Sequence, residues 1–317
     1  MAFDGLLGNE RLKENLSRSI SRGRISHFYL ISGPRGSGKH TLARLLGAAI
    51  LCSGQERPCG TCAHCRKALG AGHADFITID DPEKKTVPVD LIRQARADIY
   101  IRPNEADHKV YLFPRAQDMG IPGQNALLKV LEEPPAYGVF ILLTDNPEKL
   151  LTTVRSRCTE LALTALAPAT LKKELQKRFP QASQEVISAA ASRSGGFLGQ
   201  AITILEEGSD LPAETQNFLQ AYAGRSPLGL VQTLVPMEKY KRDQLIPILQ
   251  QWMACLEGAL AYRSGMPTVT PMAAELTASR SAQELMEAIR QLQICIEYAQ
   301  GNVSPAAICG HLTWALR

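Results

Sequence analysis

The sequence predicts an α/β domain built on a parallel sheet, followed by regions that are helical throughout. Three observations support this prediction. Short apolar runs alternate with helix-forming segments as far as residue 163, a glycine-rich loop at residues 33–40 joins the first run to a helix, and only helical patterns follow residue 164. Alternating strands and helices produce parallel sheets, because each helix carries the chain back to the edge where the next strand starts.

The elements of the α/β region follow from local patterns. A first helix is indicated by apolar residues near helical spacing at Leu6, Leu12, Leu16 and Ile20. Strands are predicted at residues 28–31, 75–79, 109–113, 139–144 and 159–163. Helices are predicted at residues 41–51, 89–100 and 124–132, and Pro134 and Pro135 stop the last of them.

The sequence after residue 164 shows only helical patterns. Residues 168–205 predict three short helices interrupted by Pro180 and by Gly195-Gly196, and longer amphipathic helices run from about Glu214 to the end. In one of these, Leu245, Ile248, Leu249 and Trp252 form an apolar stripe that suits either an internal core or a contact with another subunit. We therefore expect three domains: an α/β domain at 1–164 with a cysteine-rich insert at 52–65, a small helical domain at 165–208, and a helical C-terminal domain at 209–317.

Composition narrows the functional classes. Hydrophobic residues make up 45% and charged residues 21% of the 317, which is typical of a soluble globular protein and excludes disorder over most of the length. We expect a cytoplasmic protein without a membrane partner, because the chain lacks both a spanning apolar run and an export signal at its start. Residues 1–70 hold eleven basic and four acidic side chains. This excess either attracts a phosphate-bearing partner or simply solvates helix faces.

The loop from Gly33 to His40 has the composition of a phosphate-binding loop. Its glycines allow backbone N–H groups to surround phosphates, Lys39 adds a charge, and the following helix adds the positive end of its dipole. The alternative is an ordinary glycine-rich turn. The candidate phosphate-binding residues are Gly33, Gly36, Ser37, Gly38, Lys39, His40 and Thr41.

Two departures weaken this loop as a catalytic site. The residue after the lysine should carry a hydroxyl that binds Mg²⁺, but it is His40, and Thr41 points about 100° further around the helix. The strand at 109–113 should end in an acidic metal ligand, but Pro114 and Arg115 follow it. We expect neither a magnesium site nor intrinsic ATP hydrolysis. The sequence leaves open whether the loop still binds ATP or ADP.

Four cysteines in the insert have the spacing of a metal site: Cys52, Cys59, Cys62 and Cys65. Disulfides are rare in the cytosol, and four thiolates hold Zn²⁺ tetrahedrally with no open position for a substrate. We therefore predict a structural zinc site. The alternative is a set of free thiols. His64 lies between two of these cysteines and is expected to be exposed rather than to bind the metal.

Together with the segments Asn125-Ala126-Leu127-Leu128-Lys129-Val130-Leu131-Glu132-Glu133-Pro134-Pro135 and Arg155-Ser156-Arg157-Cys158, the loop makes the sequence resemble bacterial clamp-loader subunits of DNA polymerase III. It is most similar to their delta prime type. The resemblance covers residues 5–205. It implies an AAA+ domain, a helical lid and a helical collar, assembled with tau/gamma and delta subunits into a ring that loads the beta sliding clamp onto primed DNA.

The resemblance also implies roles for single residues. Arg157 would be an arginine finger directed at ATP in a neighbouring subunit, where such groups are worth roughly 10³–10⁵ in rate. Without the resemblance, Arg157 would be interpreted as a surface arginine in a salt bridge. Motor subunits carry a nucleotide-sensing arginine near the start of the third lid helix, but Gly199 and Gln200 stand there. These departures favour a non-hydrolysing stator of the delta prime type. The rival hypothesis is an active ATPase of the tau/gamma type.

Overall fold

The computed structural model describes residues 3–70, 72–209, 211–266, 268, 270, 272–301 and 303–317. The chain divides into two compact units, an α/β unit and a helical unit. The α/β unit contains Met1–Ala167 together with the short segment Gly196–Gln200, and the helical unit contains Pro168–Gly195 and Ala201–Arg317. The boundaries of a separate lid and collar stay a prediction.

A five-stranded parallel sheet forms the centre of the α/β unit. Its strands are β1 (Phe28–Ser32), β2 (Phe76–Thr78), β3 (Lys109–Phe113), β4 (Gly138–Thr144) and β5 (Thr159–Ala162). Their order across the sheet is β2-β3-β4-β1-β5, and every neighbouring pair is parallel. All five predicted strands are present.

Helices cover both faces of this sheet, so the central strands are apolar without interruption. Along β1, Phe28 and Leu30 pack on one face, while Tyr29 and Ile31 pack on the other. A strand buried on both faces needs apolar side chains in both directions. The pattern that predicted strands from short continuous apolar runs therefore has a direct physical cause here.

The helices of the α/β unit largely follow the sequence prediction. They are α1 (Glu10–Ser21), α2 (Lys39–Leu51), α3 (Ala63–Leu69), α4 (Val89–Asp98), α5 (Ile121–Glu132) and α6 (Thr152–Arg155), with short 3₁₀ turns at Ala116–Asp118 and Pro147–Lys149. The first helix begins later than its apolar pattern suggested. Leu6 is buried in the core ahead of the helix, so spacing alone extended the prediction too far.

The helical unit begins with α7 (Pro168–Arg178), α8 (Gln184–Arg193) and α9 (Leu198–Ser209), whose first residues belong to the α/β unit. It continues with α10 (Ala213–Ala223), α11 (Pro227–Met237), α12 (Arg242–Arg263), α13 (Ala273–Ser279), α14 (Ala282–Gln300) and α15 (Pro305–Ala315). The indole of Trp252 stacks on Phe218 with 4.0 Å between ring centroids. Leu245, Leu249 and Trp252 are fully buried within this unit, so the apolar stripe of α12 is an internal core.

An aromatic cluster anchors the α/β unit on the face that carries α4 and α5. The ring of Phe140 stacks on Phe28 at 4.8 Å, on Tyr111 at 5.1 Å and on Phe113 at 5.9 Å between centroids. These four rings come from three adjacent strands, and all are buried. Phe140 therefore links β1, β4 and β3 through side-chain packing as well as through the sheet.

We expect Phe140→Ala to lower the free energy of unfolding of the α/β unit by about 3–5 kcal/mol, because it leaves a cavity among three stacked rings. Urea unfolding followed by far-UV circular dichroism measures this loss. Both tryptophans, Trp252 and Trp314, belong to the helical unit, so their fluorescence follows that unit separately. Ile121→Ala is the control, since Ile121 is 62% exposed and its loss should cost less than ~1 kcal/mol. A loss of similar size in both variants would contradict the prediction.

Candidate functional site

The candidate phosphate site lies where the parallel strands end. Ser32 pairs with Thr144, and Phe113 pairs with Leu142, so β1, β3 and β4 finish at the same edge of the sheet. The glycine-rich loop follows β1 at this edge, and Pro114 follows β3. Ligands of open parallel sheets bind outside the carboxyl ends of the strands, which makes this edge the expected place for a nucleotide.

Two glycines of the loop have left-handed backbone angles. Gly36 and Gly38 have φ angles of 74° and 96°, values that residues with a Cβ atom rarely adopt. Gly38 is the N-cap of α2, and the helix starts at Lys39, two residues before the sequence prediction. The first N–H groups of α2 therefore point out of the loop end with the positive end of the helix dipole.

The charge of Lys39 is held by the loop itself. Its Nζ donates hydrogen bonds to the carbonyl oxygens of Gly33 at 2.6 Å and Pro34 at 2.9 Å. Partial burial lowers the pKa of Lys39, the charge of Arg35 lowers it further, and Asp145 opposes the shift. The backbone N–H of Ser37 also turns inward and donates to the carbonyl of Pro34 at 3.2 Å. Several of the loop's polar groups thus satisfy one another.

The two residues after Lys39 are exposed at the start of α2. Loss of hydration and the charges of Lys39 and Arg44 lower the pKa of His40, so its imidazole is neutral near pH 7. A neutral imidazole is a poor ligand for Mg²⁺, which prefers oxygen. Thr41 carries the nearest hydroxyl on the helix, and it is exposed one residue further along.

At the end of β3 an arginine occupies the place where a metal ligand was sought. The guanidinium of Arg115 forms an ion pair with the carboxylate of Asp80, with the shortest N–O distance 2.6 Å, and Nη2 also donates to the carbonyl of Asp81. This pairing raises the pKa of Arg115. Asp80 follows β2 at the same edge, and the sequence analysis missed it. Its signal was an acidic pair, Asp80-Asp81, directly after a predicted strand.

Side chains in the loop after β4 form hydrogen bonds within that loop. The hydroxyl of Thr144 accepts a hydrogen bond from the N–H of Asn146 at 3.1 Å, and the side chain of Asn146 accepts one from the N–H of Glu148 at 3.1 Å. Asn146 thereby caps the 3₁₀ turn at Pro147–Lys149. Both side chains are used to shape the turn.

Gly199 lies directly against the phosphate loop. Its backbone N–H donates to the carbonyl oxygen of Gly36 at 2.9 Å, although the two residues are far apart in the sequence. The resemblance predicts only the absence of an arginine at Gly199. A contact of this kind has no local sequence signal, because two glycines at distant positions show nothing of their spatial approach.

Arg157 lies just after α6 and is 39% exposed. Its Nη1 donates to the carbonyl of Thr153 at 3.0 Å, and its Nη2 lies 3.4 Å from the carboxylate of Glu132, which is itself mostly exposed. Surface ion pairs of this kind contribute little, typically ~0–1 kcal/mol, so the guanidinium can exchange this partner for a stronger one. Arg155, two residues earlier, pairs with Glu148 at 2.8 Å.

The structure brings the four predicted zinc ligands together. The sulfur atoms of Cys52, Cys59, Cys62 and Cys65 all lie within 4.8 Å of one another. Cys59 to Cys65 and Cys52 to Cys62 are each 3.9 Å apart. Sulfurs in a tetrahedral zinc site lie about 3.8 Å apart, given Zn–S bonds of ~2.3 Å. The donor set and its spacing therefore fit Zn²⁺.

Backbone groups around this cluster favour thiolates. The N–H groups of Gly54, Cys62 and Cys65 each donate to a cysteine sulfur at 3.3 Å. The hydrogen bond from the hydroxyl of Thr61 has the largest effect on Cys59. Together with bonds from the N–H groups of Cys62 and Thr61, it lowers the pKa of Cys59 to about 5. Burial raises the pKa of Cys65. Zinc bound here would tie Cys52, at the end of α2, to the start of α3.

The expectation that His64 is exposed was wrong. Its ring is half-buried, and its Nδ1 lies 2.9 Å from Nε2 of His73. Nδ1 of His73 accepts a hydrogen bond from the backbone N–H of Asp75 at 3.0 Å. His64 thus contacts His73. Its position in the sequence between two cysteines does not indicate this partner.

Comparison with known proteins identifies the family. The family model described as DNA polymerase III, delta subunit, matches residues 8–167, half of the chain. A DNA polymerase III subunit gamma from Buchnera aphidicola is 32% identical over 222 residues, covering 68% of this chain and 61% of that protein. The chain belongs to the DNA polymerase III clamp-loader family. The predicted family is thereby confirmed.

Other clamp-loader relatives are longer than this chain. DNA polymerase III subunit tau from Bacillus subtilis is 31% identical over 214 residues, which are 65% of this chain and 37% of that protein. The tau subunit from Escherichia coli is 36% identical over 176 residues, 55% of this chain and 27% of that protein. The chain thus matches between about a quarter and three fifths of the length of these relatives.

Solved structures of similar fold include a DNA polymerase III gamma subunit-related protein from Thermotoga maritima. It is 17% identical, with a TM-score of 0.44 and coverage of 96% of this chain and 98% of that one. A clamp loader delta protein from Bacillus subtilis is 13% identical, with a TM-score of 0.37 and coverage of 96% and 98%. The five-stranded parallel sheet followed by helices confirms the predicted fold class, an α/β domain with a helical C-terminal region. Over the residues described here, every helix is too short or too polar to cross a membrane.

We expect Cys62→Ser to reduce bound zinc from one ion per chain to near zero and to lower the thermal midpoint, because a hydroxyl cannot replace a thiolate in a closed four-ligand site. Native mass spectrometry and elemental analysis measure the metal. Cys158→Ser is the matched control, since it also removes one thiol but leaves the cluster intact. Equal zinc content in the two variants, at either level, would refute the site.

Proposed function

We propose that this chain is the delta prime subunit of the DNA polymerase III clamp loader and acts as a non-hydrolysing stator. Its partners would be the tau/gamma and delta subunits in a hetero-oligomeric ring in the cytoplasm. Through that ring it would help load the beta sliding clamp onto primed DNA. Relatives named as tau and gamma subunits of DNA polymerase III support membership in such an assembly.

The observation that carries this proposal is the end of β3. Pro114 offers no ligand, and Arg115 places a guanidinium there that is already paired with Asp80. A divalent cation at this position would have to compete with Arg115 for Asp80, with which the guanidinium pairs at 2.6 Å. The guanidinium also lies 3.8 Å from the carboxylate of Asp118. Two like charges competing for one carboxylate disfavour metal binding. This supports a subunit without its own hydrolysis.

The proposed contribution of this subunit to catalysis is Arg157. It lies after α6 and is partly exposed, and its partners among the described residues are the carbonyl of Thr153 and the surface carboxylate of Glu132. A guanidinium that is easily released suits donation to phosphate oxygens in a neighbouring subunit, where it would stabilise the charge of the transition state. The zinc cluster would serve as a structural support.

The alternative is an active ATPase of the tau/gamma type. The identity of 31–36% to proteins of those names favours it, as does the glycine-rich loop with Lys39. It requires Mg²⁺ to bind beside His40, Pro114 and Arg115, which supply no oxygen ligand from their side chains.

We expect the purified chain, alone or with primed DNA, to show no ATP turnover above that of its Lys39→Ala variant, because the metal-binding positions are filled by a proline and a cation. Steady-state phosphate release measures the difference. Turnover that is clear in the parent chain and absent in Lys39→Ala would establish the alternative.

We expect Arg157→Ala to lower the ATPase of the reconstituted clamp loader while leaving its assembly unchanged. Arginine fingers are worth roughly 10³–10⁵ at the site they serve, so turnover at that one interface should be lost. Size-exclusion chromatography checks assembly. Arg155→Ala is the matched control, because it removes an arginine that pairs with Glu148 and should have little effect. Loader turnover unchanged by Arg157→Ala would exclude the finger.

A further inference from the structure

The contact between Gly36 and Gly199 is closer than side chains would allow. A methyl group placed on Gly36 would lie 2.4 Å from the backbone nitrogen of Gln200 and 2.8 Å from the carbonyl carbon of Gly199. A methyl group on Gly199 would lie 2.5 Å from Cα of Gly36 and 2.8 Å from its oxygen. All of these are backbone atoms, which cannot rotate away. The two chain segments therefore approach each other only because both residues are glycine.

A hydrogen bond fixes this approach. The N–H of Gly199 donates to the carbonyl of Gly36 at 2.9 Å. Gly199 is the second residue of α9, so its N–H belongs to the first turn, which has no acceptor inside the helix. The phosphate loop thus supplies the acceptor that the helix lacks.

Two donors of the loop bond within it at the same time, whereas the buried hydroxyl of Ser37 has no hydrogen-bond partner among the described residues. Lys39 donates to the carbonyls of Gly33 and Pro34, and the N–H of Ser37 donates to Pro34. Two groups that could meet phosphate oxygens, the Nζ of Lys39 and the N–H of Ser37, are therefore engaged within the loop. A phosphate entering the loop would have to exchange these hydrogen bonds for its own.

We propose that Gly36 and Gly199 form a main-chain latch that keeps the phosphate loop closed on itself. The latch makes the loop a structural joint between β1, α2 and the start of α9, and nucleotide binding requires it to open. Ligand affinity falls in proportion to the fraction of molecules in the competent state. The proposal goes beyond the stator function and does not depend on Arg157.

The direct test uses the unmodified chain. Amide hydrogen exchange measured by NMR should find the N–H of Gly199 protected at least tenfold relative to an unstructured peptide, although first-turn amides usually exchange with water. An unprotected Gly199 amide overturns the latch, and this measurement needs no variant that might fail to fold.

The second test breaks the latch with Gly199→Ala. Alanine is a better helix former than glycine, so propensity alone predicts a more stable helix and slower exchange. The latch predicts the opposite, with exchange of the loop amides at least tenfold faster. Gly120→Ala is the control in the same unit, because its added methyl would meet only ordinary contact at 3.6 Å. Slower or unchanged exchange in the loop of Gly199→Ala overturns the proposal.

Calorimetric titration with ATP and with ADP then tests the effect on binding. The latch consists of one hydrogen bond, which Gly199→Ala removes. We therefore expect this variant to bind nucleotide about tenfold more tightly than the parent chain. Faster exchange with unchanged or weaker affinity would show that the latch does not limit binding. The Arg157→Ala loader assay is independent of these results, so failure of the latch and failure of the finger can be told apart.

Discussion

Burial of helix α2 against the sheet is the constraint on which the candidate sites depend. Nine of its 13 residues are buried, and Gly47 lets the ring of Phe76 approach within a distance that a methyl group would block. Its first residue is Lys39 of the phosphate loop, and Cys52 of the cysteine cluster follows its last. A helix of this length spans about 20 Å, so one rigid element fixes the positions of both sites.

At the strand ends, the shape of the phosphate site depends on the backbone, whereas metal binding depends on the charged side chains around it. The loop and the helix dipole need only glycines and a helix start, and both remain. Metal binding needs carboxylate or hydroxyl oxygens that are not otherwise engaged. At this edge Arg115 binds Asp80, and partial burial holds the pKa of Lys39 below its usual range. The positive end of the α2 dipole therefore faces the loop, while a proline and a paired arginine follow β3.

Much of the fold followed from the sequence, because continuous apolar runs such as 139–144 have few alternatives to a strand buried on both faces. The approach of the four cysteines was predictable because their spacing is typical of a four-thiolate metal site. Asp80 and Glu132 were missed as partners of Arg115 and Arg157, since pairing across 25 or more residues leaves no periodic signal. His64 was misjudged because its partner, His73, follows the end of α3 and is nine residues away in the sequence. The first helix was drawn too long because Leu6 is buried without being helical.

The proximity of Gly36 and Gly199 gives a steric reason why the arginine that the resemblance implies for motor subunits is absent from the start of α9. An arginine at 199 could not occupy this position, because even a methyl group would overlap Cα of Gly36. Glycine at 199 therefore allows this contact and carries no charge. A loop that binds its own lysine and also caps a neighbouring helix is stabilised without a ligand.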